Sequence, residues 1–89
     1  MLKLFVVFLG GRLGVGRMGE DHEVVAVIAK NIDDARAKAR KKWKGADLKS
    51  HVDSVMEISA VDGYRVLLEQ SRENSGNGIR VDDRFVEFS

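Results

Sequence analysis

Residues 51–69, HVDSVMEISAVDGYRVLLE, predict a β-hairpin. Its tip is predicted to be a three-residue loop, Val61 to Gly63, with Gly63 in the left-handed conformation that bulged hairpins prefer. Ala60 then faces Tyr64 across the hairpin, whereas a two-residue turn would pair Ala60 with Arg65 and mix the two faces. The longer loop is favoured because it puts the apolar pairs on one face, namely Ile58 with Val66 and Met56 with Leu68.

Two strands and a helix are predicted before this hairpin. Residues 2–9 are apolar on both faces except at Lys3, which is typical of a central strand, and residues 22–29 form a second apolar strand. A helix is predicted from an N-cap at Asn31 to about Lys44, with Gly45 as its stop. Its apolar stripe consists of Ile32, Ala35, Ala39 and Trp43.

These elements predict an α+β fold, a small antiparallel sheet of four or five strands with one helix packed on a face, in the order β-β-α-β-β. Residues 1–69 would form the compact domain, and the polar residues 70–78 a linker. Residues 79–89 recover alternation and predict an extra strand or a dimer contact.

A single helix covers only one face of such a sheet. The other face would present Phe5, Val7 and Leu9 or their neighbours, and each apolar side chain left in water forfeits about 1.5–3 kcal/mol. A second cover is therefore needed, either residues 79–88 folding back or a second copy of the chain. We expect a homodimer, because exposed apolar patches commonly mark interfaces.

Composition limits the classes of partner. The 89 residues suffice for one domain, and a net charge of +1 provides no global field for nucleic acid or an anionic membrane. The chain has no cysteine, which excludes disulfides and thiolate metal sites and fits a reducing compartment. Residues 2–9 are too short to span a membrane and have no cleavage pattern after them, so we expect a cytoplasmic protein with no membrane partner.

The glycine-rich segment 14–19, GVGRMG, matches the dinucleotide-binding pattern. That mechanism needs a helix to begin there and receive the pyrophosphate, but three acidic residues and a β-branched run follow instead. We therefore do not expect nucleotide binding. A looser alternative is an anion-binding nest built from the amides of Gly10 and Gly11 with Arg12 and Arg17.

The two histidines are the strongest candidates for a site. His51 and Asp53 are two residues apart and share a strand face, predicted to lie opposite Met56 and Ile58, and His22 begins a strand at what would be the same end of the sheet. If they converge, His22, His51 and Asp53 would bind a small ligand or a metal such as zinc, or Asp53 would orient His51 as a general base. The alternative is a surface hydrogen bond between Asp53 and His51 with a solvated His22. No close-spaced metal motif is present, so no metal or other cofactor is assigned.

The helix carries a basic face. Its cations would line the solvent side and could contact a phosphate backbone, but no aromatic residue is interleaved with them, so we do not expect nucleic-acid binding. These residues are Arg36, Lys38, Arg40, Lys41, Lys42 and Lys44.

The chain resembles a small bacterial family of uncharacterised proteins known as domain of unknown function 1543, over about residues 2–68. The resemblance implies a compact α+β domain and no particular activity. It is carried by Leu9-Gly10-Gly11, Glu20-Asp21-His22, Trp43 with Gly45, His51, Asp53 and Val61-Asp62-Gly63-Tyr64.

The function expected from sequence is that of a small binding or interaction module that acts as a homo-oligomer, with no catalytic residue assigned. One alternative is a small-ligand or metal site, with or without catalysis, built from His22, His51 and Asp53. Another is a nucleic-acid accessory that uses the basic helix 36–44.

Overall fold

A three-stranded antiparallel sheet with one helix on a face forms the body of the protein in a computed structural model that describes residues 1–12, 14, 19–44, 50–72 and 76–79. The central strand is β1 (Lys3–Gly11), with β2 (Asp21–Ala29) on one side and β3 (Ser50–Ile58) on the other. The helix α1 (Ile32–Lys41) follows β2. The predicted α+β class is confirmed.

The core lies between the sheet and the helix. Alternate residues of the strands point towards α1, as the period of two in a strand requires, and alanines on the helix let it approach the sheet closely. The residues buried there are Phe5, Val7, Leu9, Val25, Val27, Ala29, Ala35, Ala39 and Trp43.

The helix is shorter than predicted. It begins after the predicted N-cap, Asn31, whose side chain accepts the Asp34 backbone N–H at 2.8 Å, but it ends at Lys41. Trp43 lies beyond the helix and is still buried, with its indole N–H donating to the Arg12 carbonyl at 3.2 Å. Ile32 was wrongly assigned to the apolar stripe. It is 51% exposed, because a first-turn side chain points back beyond the start of the helix.

Asp34 should make folding sensitive to acid. Its carboxylate accepts the Lys30 backbone N–H at 3.0 Å, and this bond, assisted by the nearby Lys38, holds the pKa of Asp34 below its ordinary 3.8. The stabilisation is therefore complete above pH 3.8 and is lost as the pH falls through the lowered pKa. We expect Asp34→Asn to lower the melting temperature at neutral pH, with the difference from wild type closing in acid. Asp33→Asn, on a side chain 93% exposed, is the control.

The predicted hairpin loop is wrong. The strands β4 (Ala60–Val61) and β5 (Tyr64–Arg65) pair Ala60 with Arg65, so the turn has two residues. Asp62 and Gly63 have φ of 53° and 82°, as a type I′ turn requires at both positions. The preference of Asp-Gly for this turn, whose twist matches that of the strands, outweighs the mixing of faces. These short strands form a separate sheet, so the described strands do not form one sheet of four or five.

A β-bulge in β3 changes which of its residues face the core. Leu9 is opposite Val52 whereas Phe8 is opposite Ser54, which leaves Asp53 as the extra residue. Val52 and Val55 therefore both pack against the core. The predicted alternation is wrong beyond this point, because Met56 and Ile58 lie on the same face as His51 and not opposite it.

The sheet face away from α1, called the far face below, is arranged in rows across β2, β1 and β3. The pairing of the strands sets four rows, which are His22–Gly10–His51, Val24–Phe8–Ser54, Ala26–Val6–Met56 and Ile28–Leu4–Ile58. Polar residues occupy the first row and apolar residues most of the others. Residues 76–79 lie beside Leu4 and Ala26, and the rest of the predicted C-terminal strand, 80–89, is outside the described residues.

Within the described ranges, no helix combines the length and the apolar character needed to span a membrane.

Candidate metal centre

The strand register brings the two histidines to the same glycine. Gly10 of β1 is opposite His22 of β2 and also opposite His51 of β3. Directly opposed residues of antiparallel strands project from the same face, so both imidazoles rise from the far face on either side of Gly10. The candidate site thus lies at one end of that face.

Four side chains meet above Gly10 and are called the Gly10 cluster, namely Glu20, His22, His51 and Asp53. His51 Nε2 lies 2.6 Å from Glu20 Oε1 and 3.0 Å from Asp53 Oδ1. His22 Nδ1 lies 3.5 Å from Asp53 Oδ2. All four side chains are about half-exposed, with 40% of Asp53 and 68% of His22 accessible. The structure thus brings both histidines to Asp53, which is the condition on which the small-ligand or metal alternative depends.

Gly10 provides the space in which these groups meet. A Cβ atom added to Gly10 would lie 2.7 Å from His51 Nε2 and 3.0 Å from Asp53 Oδ2, and closer still to Glu20 Oε1. Real Cβ atoms essentially never come as close as this to Glu20 and His51, and the separation from Asp53 is tighter than nine in ten real Cβ contacts. Any other residue at position 10 would therefore push the polar atoms apart.

The bulge in β3 supplies the second carboxylate. Asp53 is the extra residue between Val52 and Ser54, so it does not follow the regular in-and-out alternation of β3. Its carboxylate reaches both histidines. Bulges commonly re-aim a side chain next to a functional site in this way.

The chemistry of the cluster suits a cation. An imidazole nitrogen offers one N–H or one lone pair, yet two carboxylates lie within 3.0 Å of His51 Nε2. One ligand atom each from Glu20, His51 and Asp53 lies within 4.8 Å of the others, so a single ion could contact all three. Three protein ligands leave at least one coordination position open, as in catalytic zinc sites.

Sequence reasoning identified three of the four residues and missed Glu20. It appeared only as an acidic neighbour of His22, because it precedes β2 and has no fixed place in a strand pattern. The overlooked signal was the glycine. Pairing β1 with β2 from the loop outwards puts Gly10 opposite His22, which marks an open space surrounded by polar residues.

The structure offers less support for the predicted anion-binding nest than for a cation site in the Gly10 cluster. Gly10 and Gly11 lie in the central strand and pair with residues of β2 and β3 on either side. Their backbone groups therefore take part in the sheet and are not directed at an anion. Arg12 accepts the Trp43 indole N–H through its carbonyl, and Arg17 lies outside the described residues. The carboxylates of the Gly10 cluster would also repel an anion.

The glycine-rich segment is followed by the strand β2, as predicted, and not by the helix that dinucleotide binding needs.

Two lysines of the basic helix donate hydrogen bonds to the backbone of the edge strand β2. Lys38 donates to the Ile28 carbonyl at 2.7 Å and Lys42 to the Ala26 carbonyl at 2.8 Å, which blunts the exposed edge of β2. Lys42 is half-buried, and this burial lowers the pKa of Lys42. The expectation that every cation lines the solvent side is therefore wrong for Lys42. Arg36 lies 3.6 Å from Asp33, and Arg40, Lys41 and Lys44 are exposed.

Comparison with known proteins gives one family match. The model of the family described as Domain of Unknown Function (DUF1543) matches residues 17–68, more than half of the chain. The match ends at the residue expected from the sequence and begins later than residue 2. No curated protein and no solved structure gives a significant match.

Proposed function

Because the chain belongs to the family Domain of Unknown Function (DUF1543), whose description assigns no activity, we propose a function from the geometry of the Gly10 cluster. The proposed function is binding of one divalent first-row transition metal ion by Glu20, His51 and Asp53. His22, 3.5 Å from Asp53, orients that carboxylate. The observation that carries the proposal is the approach of two carboxylates to the same nitrogen of His51.

The donor atoms favour this class of metal. Imidazole suits zinc, copper, iron and nickel, whereas magnesium and calcium prefer a shell made only of oxygen. Two carboxylates with one imidazole also leave an uncompensated negative charge, which a divalent ion neutralises. The ligands must be deprotonated to bind, so affinity should fall in acid.

Calorimetric titration of the full chain with zinc tests the proposal. We expect one zinc ion per chain, and we expect Glu20→Gln to weaken binding by about 10- to 100-fold, which corresponds to about 1.4–2.8 kcal/mol. His22→Gln should weaken it about tenfold, as loss of an orienting group does.

Glu57→Gln is the matched control. Glu57 is as exposed as Glu20, at 43% against 44%, but it lies near the end of β3 away from the cluster, where it pairs with Lys3 of β1. Its replacement should leave zinc affinity unchanged. Equal losses in Glu20→Gln and Glu57→Gln would show a diffuse effect of charge and would contradict the proposal.

A second candidate function is self-association through an apolar patch at the other end of the far face. The patch consists of Leu2, Leu67 and Leu68, all at least 45% exposed, which lie together beside Ile58 of β3. It lies beside β3, the sheet edge opposite the one that Lys38 and Lys42 cover. The occupant we propose is a second copy of the chain, because patches of this kind commonly mark homodimer interfaces.

Sedimentation of the full chain at several concentrations tests this candidate. We expect a dimer that Leu67→Asp converts to a monomer, since a buried charge at an apolar interface costs several kcal/mol. Ile32→Asp is the control, because Ile32 is 51% exposed on α1, which packs on the opposite face of the sheet. A wild-type chain that stays monomeric at all concentrations would exclude the dimer.

A further inference from the structure

A depression on the far face adjoins the Gly10 cluster. Its volume is about 440 Å³, and His22 and Asp53 form one end of it. The second row of the far face lines most of the rest, with Val24, Phe8 and Ser54 side by side across the three strands, and Leu9 and Glu23 complete the lining. Ligand sites commonly have this size, with a mainly apolar lining and a few converging polar groups.

Asp53 belongs to both the cluster and the depression, whereas Glu20 and His51 line only the cluster. An ion held by these three residues would therefore have Glu20 and His51 behind it and the depression before it. His22 stands at the border, within reach of a group bound to the ion. The open coordination position thus has an apolar surface next to it.

We propose that this metal centre and depression together bind small carboxylic acids with an apolar body. The carboxylate occupies the open position of the metal, and the apolar body lies on Phe8 and Val24. Without the ion the head group would meet the carboxylates of Glu20 and Asp53 and be repelled, so binding depends on the metal. This inference rests on the proposed metal-binding function.

Titration of the zinc-loaded full chain with acetate and with hexanoate, followed by backbone amide NMR shifts, tests the inference. The two probes share a head group and differ only in the apolar body. We expect hexanoate to bind at least about tenfold more tightly, equivalent to about 1.4 kcal/mol, and to shift the amides of Phe8, Val24 and Ser54. Removal of zinc should weaken both probes at least about tenfold.

Val24→Ser should reduce the preference for hexanoate to less than about threefold while zinc affinity stays unchanged. Ile28→Ser is the matched control, since Ile28 lies on the same face of β2 two rows away and should keep the preference. Equal affinity for acetate and hexanoate, or hexanoate binding that persists without zinc, would overturn the inference and leave the metal site intact. Failure of zinc to bind would instead remove the proposed function as well.

Discussion

Gly10→Val is expected to abolish zinc binding while the domain stays folded. A side chain at position 10 would occupy the space in which Glu20, His51 and Asp53 meet, so all three donors must move at once. We expect affinity to fall at least about a thousandfold, equivalent to about 4 kcal/mol, more than for the loss of a single ligand. The atoms displaced are the ends of flexible side chains and valine suits a strand, so the cost in stability should be small.

Zinc calorimetry and thermal unfolding of Gly10→Val and Gly76→Val provide the comparison. Nothing lies within 4 Å of a Cβ added to Gly76, so that variant should bind zinc as the wild type does. Retention of zinc binding by Gly10→Val would mean that the ion sits elsewhere. An unfolded Gly10→Val would be replaced by Gly10→Ala, for which we expect the same loss of zinc binding.

Glu23→Met is expected to stabilise the protein. Glu23 is 1% exposed on the core side of β2, opposite Leu9, and neither carboxylate oxygen has a hydrogen-bond partner among the described residues. Burying a polar group without a partner costs free energy, and more so for a charged one. A methionine of similar length should therefore raise the free energy of unfolding by about 1–4 kcal/mol, a large fraction of the 5–15 kcal/mol typical of a domain.

Chemical denaturation of Glu23→Met and Glu23→Gln checks this expectation. Glutamine keeps the shape but leaves a buried amide without a partner, so its gain should be smaller. A methionine variant less stable than wild type would show that the carboxylate makes a favourable interaction in the folded protein.

The sequence was sufficient for elements defined by long apolar patterns. The first two strands, the N-cap Asn31 and the burial of Ala35, Ala39 and Trp43 all follow from hydrophobic periodicity and cap chemistry. These signals are local, so they do not depend on which strands pair.

Register was predicted less well because it depends on single residues. A bulge at Asp53 reverses the alternation of β3, and nothing in the apolar pattern marks it. The length of the hairpin turn is determined by the positive φ angles that Asp62 and Gly63 adopt, and not by which residues would share a face. The edge role of Lys38 and Lys42 depends on tertiary packing, which helix periodicity does not encode.

The sequence grouped His22, His51 and Asp53 only on the condition that they converge, and the strand faces that it predicted for β3 were wrong in part. The same bulge that invalidates the predicted faces also turns Asp53 towards His22 and His51. The space above Gly10 could have been inferred by pairing β1 with β2, but the place of Glu20, which precedes β2, requires the folded structure.

The most direct test of the metal site is a crystal structure of the full chain grown with zinc, with anomalous data collected at the zinc edge. We predict one peak above Gly10, about 2.0–2.2 Å from Glu20, His51 and Asp53. An ion bound elsewhere, with these three side chains still bonded only to one another, would contradict the assignment.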